Sequence, residues 1–104
     1  MKSLERHAQQ LASLGHPARL SLLRSVVKSG VGGITATDLQ ARLEIPWTTL
    51  SHHLDRLVEA GLVVTRREGR FVYHTADYGA LRQLTAYLWE DCCKSGKGAE
   101  GACC

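Results

Sequence analysis

The chain has 104 residues, enough for one small domain with a modest core and too few for two. Its 44% hydrophobic and 22% charged residues are ordinary for a globular protein, and no apolar run is long enough to span a membrane. The formal charge of +3 is compatible with an anionic partner but too small to demand one. The opening MKSLERHAQQLASLG lacks the apolar stretch and cleavage site of a secretory signal, so a cytoplasmic location is expected.

Leu4, Ala8 and Leu11 recur at helical spacing and Gly15 can stop the run, which predicts a first helix over Ser3–Leu14. Pro17 suits the first turn of a second helix, Pro17–Ser29, with Leu20, Leu23 and Val27 as one face. SGVGG is a turn cluster. Thr35 followed by Asp38 has the spacing of a capping box and opens a short third helix, Thr35–Leu43. EIP turns the chain into a fourth helix, Pro46–Ala60, with Leu50, Leu54, Leu57 and Val58 as its apolar stripe and Gly61 as its left-handed cap.

The period then changes. LVVTRR, EG and RFVYHT read as a hairpin with Glu68-Gly69 at the turn, a register that sets Val64 opposite Tyr73 and Arg66 opposite Phe71. Asp77 caps a last helix, Asp77–Cys93, whose face carries Leu81, Leu84 and Leu88. Residues 94–104 read as a flexible, glycine-rich, cysteine-bearing tail beyond a single domain of residues 1–93. The expected fold is mainly α with a two-stranded β-wing: helices three and four form a helix-turn-helix, and the hairpin after them forms the wing of a DNA-binding layout.

All four cysteines lie in the last thirteen residues, as the neighbouring pairs Cys92-Cys93 and Cys103-Cys104. In a reducing compartment such a cluster points to thiolate ligands or redox groups rather than structural disulfides. Geometry agrees, because neighbouring Cα atoms stand about 3.8 Å apart whereas disulfides normally span about 4.4–6.8 Å.

LASLGHPARLSLLRSV, TLSHHLDRLVEAGLV and RREGRFVYHT resemble the ArsR/SmtB-type metal-responsive repressors over nearly the whole chain, and the ending YLWEDCC resembles their arsenic-sensing branch with a C-terminal cysteine pair. The resemblance implies a homodimeric winged-helix repressor that leaves its operator when trivalent arsenic binds. Two departures restrict the sensing site. Thr35 and Thr37 stand where other branches carry cysteines near helix three, and Gly79 follows Asp77 where zinc, nickel and cobalt sensors carry a histidine.

With Leu50, Leu54 and Leu57 turned inward, helix four presents Thr48, Thr49, Ser51, His52 and Arg56 outward, among them short donors and acceptors at the end that meets base edges. His52 and His53 point about 100° apart and cannot close one metal site, and His53 suits the edge of the core. Trp47 fits either a contact with the sugar-phosphate backbone or a staple on the turn. Arg66, Arg67 and Arg70 on the wing suit phosphate or minor-groove contacts, with Arg66 also able to pack across from Phe71. Leu4, Leu11, Leu81, Leu84, Leu88 and Trp89 exceed what one small domain buries easily, which favours an isologous dimer matched to a two-fold double-stranded operator.

Trivalent arsenic forms three bonds to sulfur. Cys92 and Cys93 offer two, and glycines at 96, 98 and 101 let the tail return Cys103 or Cys104 as the third. Antimony(III) is a further candidate inducer, and no constitutive cofactor is expected. The alternatives are a zinc- or cadmium-responsive site, a thiol redox switch, and a metal-scavenging protein that binds no DNA. Ser51 and His52 have no partner carboxylate, so no catalytic constellation is present.

Overall fold

Short polar side chains decide where most of the helices begin. The computed structural model describes residues 2–91, which form α1 (Lys2–Leu14), α2 (Pro17–Lys28), β1 (Ile34–Thr35), α3 (Ala36–Leu43), α4 (Trp47–Glu59), β2 (Val63–Glu68), β3 (Phe71–Ala76) and α5 (Tyr78–Trp89). His16 caps α2 by accepting from Ala18 N, Thr35 caps α3 by accepting from Asp38 N at 3.2 Å, and Asp77 caps α5 by accepting from Ala80 N at 3.0 Å. Each satisfies one of the first-turn N–H groups that a helix leaves unpaired. Gly61 closes α4 in the left-handed region.

The core lies where α2, α3, α4 and the sheet meet, built on Leu22, Leu23, Val26, Ile34, Leu39, Leu50, Leu54, Leu57, Leu62 and Val63. Two predicted faces shift. In α2 the buried positions are Leu22, Leu23 and Val26 while Leu20 is exposed, because LSLLRSVV carries apolar residues on more than one side of the helix. In α4 Val58 is exposed, and the buried fourth member of the stripe is His53.

The sheet has three strands, in the order β1-β3-β2, where the sequence predicts two. β1 is too short to show alternation, and its pairing depends on Gly33. At φ +84, a Cβ on Gly33 would sit 3.0 Å from Tyr73 Cβ, so only glycine lets this chain close on β3. The hairpin register differs from the expectation by two residues: Val64 faces Thr75, Arg66 faces Tyr73 and Glu68 faces Phe71. The turn is therefore Gly69-Arg70, with the positive φ at Gly69 alone, as a two-residue turn with glycine first requires.

The last helix also stops earlier than predicted, at Trp89 rather than Cys93. Glu90 leaves the helical region and Asp91 takes φ +66. No basic residue lies in its last turn, and two acidic residues follow at the negative end of the helix dipole, where carboxylates are unfavourable. Among the described residues no helix is long and apolar enough to cross a membrane.

Candidate nucleic-acid interface

α4 is seated by its inner face and left free on its outer one. Leu50, Leu54 and Leu57 are buried, each contributing about 1.5–3 kcal/mol of transfer free energy that fixes the roll of the helix. That roll exposes Trp47, Thr48, Thr49, Ser51, His52, Asp55 and Arg56, so all six predicted contact residues of this helix share its solvent side. None of Thr48, Thr49, Ser51 and His52 makes a side-chain hydrogen bond within the described chain. Arg56 lies 3.5 Å from Glu59 in an exposed pair, an interaction weak enough for a phosphate to replace.

The entry to α4 is also open. Pro46 is its N-cap and supplies no side-chain bond, so the first N–H groups of the helix face outward uncapped, an arrangement suited to a phosphate oxygen. The turn before it is set by Glu44, which adopts φ 52, ψ 45 and returns its N–H to Gln40 O at 2.8 Å. Gln40 Nε2 donates to Ile45 O at 3.3 Å.

One anchor escaped the sequence. His53 is 5% exposed and accepts from Arg19 Nε through Nδ1 at 3.2 Å, while Arg19 Nη1 donates to Ser13 O at 3.3 Å. A single guanidinium thus ties the end of α1 and the start of α2 to the middle of α4. Burial holds the His53 pKa below its ordinary value, helped by the positive charge of Arg19 and by neighbouring His16 and His52, so the neutral ring that can accept this bond is favoured. Gln10 adds a second tie, donating through Nε2 to Ala60 O at 3.1 Å.

The three wing arginines differ. Arg66 donates to Glu68 Oε2 at 2.7 Å and to Gly32 O at 3.0 Å, and its guanidinium lies 5.1 Å from the centre of the Tyr73 ring. It braces the wing against the loop before β1, and its aromatic partner is Tyr73 rather than Phe71. Arg67 Nε donates to Gly69 O, the carbonyl of the first turn residue, at 3.3 Å. Arg70, in the turn itself, has no such partner among the described residues and is the free cation of the wing.

The apolar residues assigned to a dimer also separate. Leu84 is 3% exposed and already covered within one protomer, while Leu81 packs on the core and is partly covered. Leu4 at 47%, Leu11 at 43% and Leu88 at 58% stand exposed, as does Trp89. His7 stacks on Tyr87 with ring centres 4.4 Å apart and joins α1 to α5. Cys92, Cys93, Cys103 and Cys104 lie outside the described residues.

A helix-turn-helix domain family matches residues 14–66, half of the chain, spanning the arginine–histidine tie, the two-helix motif and the first wing strand. A biofilm growth-associated repressor of Agrobacterium fabrum is 36% identical over 91 residues, covering 83% of this chain and 75% of the relative. The arsenical resistance operon repressor of Bacillus subtilis is 27% identical, covering 97% of this chain and 92% of its own. The chain belongs to the ArsR/SmtB-type repressors. An ArsR-like transcriptional regulator from Rhodococcus sp. RHA1 shares the fold with a TM-score of 0.82 at 21% identity, over 92% of this chain and 88% of that one. The protein is accordingly a DNA-binding transcriptional regulator and not an enzyme, and the matched residues include the whole of α3 and α4.

Proposed function

We propose that this repressor binds a two-fold operator as a homodimer, reads it with α4, and releases it when trivalent arsenic binds its C-terminal cysteines. The observation that carries the DNA half is the outer face of α4: Thr48, Thr49, Ser51 and His52 are exposed, unbonded and fixed in direction by buried leucines beneath them. These residues suit base edges, Arg56 a phosphate or a guanine, and Arg67 and Arg70 the backbone beside the wing. Trp47 lies at the same entrance. Leu4, Leu11, Leu88 and Trp89 supply the apolar surface for an isologous pairing of α1 and α5.

The inducer half rests on chemistry. Soft thiolates select thiophilic ions, and Cys92 and Cys93 with Cys103 or Cys104 supply the three sulfurs that As(III) takes. Antimony(III) makes the same demand. The relatives include both biofilm-associated and arsenical-resistance repressors, so likeness alone selects no inducer. Because only Glu90 and Asp91 separate the end of α5 from the first cysteine pair in sequence, a ligand there acts on the dimer helix without touching a base. By linkage, DNA must weaken arsenic binding by the factor with which arsenic weakens DNA binding.

The test is an operator-release titration with arsenite, methylarsenite, zinc and cadmium, on the wild type and on the Cys92→Ser/Cys93→Ser double variant. Release by arsenite in the wild type, with undiminished operator affinity and no release in the variant, is expected. Loss of both Cys103 and Cys104 should weaken the response to arsenite and spare that to methylarsenite, which needs two sulfurs. Release by zinc or cadmium alone, or only on oxidation, would replace arsenic with the corresponding signal.

A further inference from the structure

Between the first half of α4 and β3 lies a groove of about 480 Å³. That is within the range of about 300–1,000 Å³ typical of small-ligand clefts. Trp47, Leu50, Leu54 and Val72 make most of it apolar, and His74 and Asp55 supply the polar groups that matter. His74 is buried, with Nδ1 3.3 Å from Ile34 O. Nδ1–H donates there, which leaves Nε2 as the acceptor of a neutral ring. Burial favours that neutral form despite the opposing pull of the Ile34 carbonyl. Asp55 is the one acidic side chain in the lining, and it forms no ion pair among the described residues.

This combination is unsuited to the DNA backbone. A phosphate gains nothing from an apolar wall and is repelled by a carboxylate. A cation with an aromatic body is complementary on each count: its charge suits Asp55 and the exposed Trp47 ring, and its own ring system covers Trp47 and Val72, the apolar lining residues left open to solvent. We propose that the groove between α4 and β3 binds a small aromatic cation, of the quaternary ammonium class, and that its occupancy opposes operator binding. The proposal rests on α4 being the DNA-reading helix, because Trp47, Thr48 and Ser51 belong both to the groove and to the DNA face. It gives the repressor an effector site separate from the cysteines.

Calorimetry on the DNA-free protein tests the site independently of that assignment, with (2-naphthylmethyl)trimethylammonium, 2-naphthylmethanol and 2-naphthoate as probes. The cation should bind saturably, the alcohol about tenfold more weakly, and the carboxylate not at all. Asp55→Asn, at an exposed position, should keep the melting temperature and weaken the cation severalfold while leaving the alcohol unchanged, the remaining preference for the cation being owed to Trp47. Equal binding of all three probes, no binding of any, or an unchanged cation affinity in Asp55→Asn would overturn the site. Added to the operator complex, the cation should release DNA from the wild type, with labelled duplex alone as the control. Binding to the free protein without release would overturn the competition, whereas protection of α4 by operator is read separately and bears only on the DNA assignment.

Discussion

α4 and the wing both face outward, yet they use their polar groups differently. On α4 the side chains are free and the helix itself is held, by Leu50, Leu54 and Leu57 beneath it and by Arg19 on His53. On the wing the arginines do the holding: Arg66 binds Glu68, Gly32 and Tyr73, and Arg67 binds the Gly69 carbonyl, which leaves Arg70 uncommitted among the described residues. A helix that reads bases needs fixed direction and unspent donors. A hairpin that touches phosphates needs a shape, and a charge at its tip is enough.

The largest effect should come from removing what holds α4. Leu50→Ala empties a fully buried position and should lower unfolding free energy by about 2–5 kcal/mol in a denaturant titration. A loss near zero would mean that α4 is not fixed through its inner face.

Next comes the tie to α2. Arg19→Met keeps the aliphatic stem but leaves buried His53 Nδ1 without its donor, at a cost of about 1–3 kcal/mol in stability. The same tie sets a pH dependence. The folded pKa of His53 lies below its ordinary value of 6.5, so above pH 6.5 both states are neutral and the stabilisation is complete. As pH falls from 6.5 through the lowered folded value, the unfolded state takes up a proton first and stability is lost. His74, also lowered, adds in the same direction. His53→Asn, which keeps an acceptor and cannot titrate, should flatten the profile to the part owed to His74. An unchanged slope between pH 7 and 5 would remove His53 from the account.

On the DNA side, Ser51→Ala and His52→Ala should cost about 1–3 kcal/mol in specific binding and little in non-specific binding. Arg70→Ala should weaken both and reduce the salt slope by about 1. If Arg66→Ala lowered the slope as much as Arg70→Ala without loosening the wing, the division of labour among the arginines would be wrong.

Much of this was legible beforehand because it is local. Pro17, Thr35, Asp77 and Gly61 mark helix ends through bonds that span a few residues, and the spacing of Leu50, Leu54 and Leu57 assigns the faces of α4. What was hidden depends on distant partners. Arg19 and His53 are 34 residues apart, and nothing local shows that they meet. β1 exists because Gly33 allows a close approach to Tyr73, and the wing turn falls at Gly69-Arg70 because glycine takes its first position. Leu20 and Val58 were misassigned because apolar residues in their helices outnumber the positions the core can cover. Leu84 looked available for a partner only while the covering supplied by its own protomer was unseen.

The central claim, that α4 meets the operator, has an internal control in the two tryptophans. Trp47 at the start of α4 is 50% exposed and Trp89 at the end of α5 is 59% exposed. Hydroxyl-radical footprinting of the protein with and without operator should show strong protection of Trp47 and His52 and unchanged oxidation of Trp89. Equal oxidation of Trp47 and His52 in the free and operator-bound protein would contradict the claim.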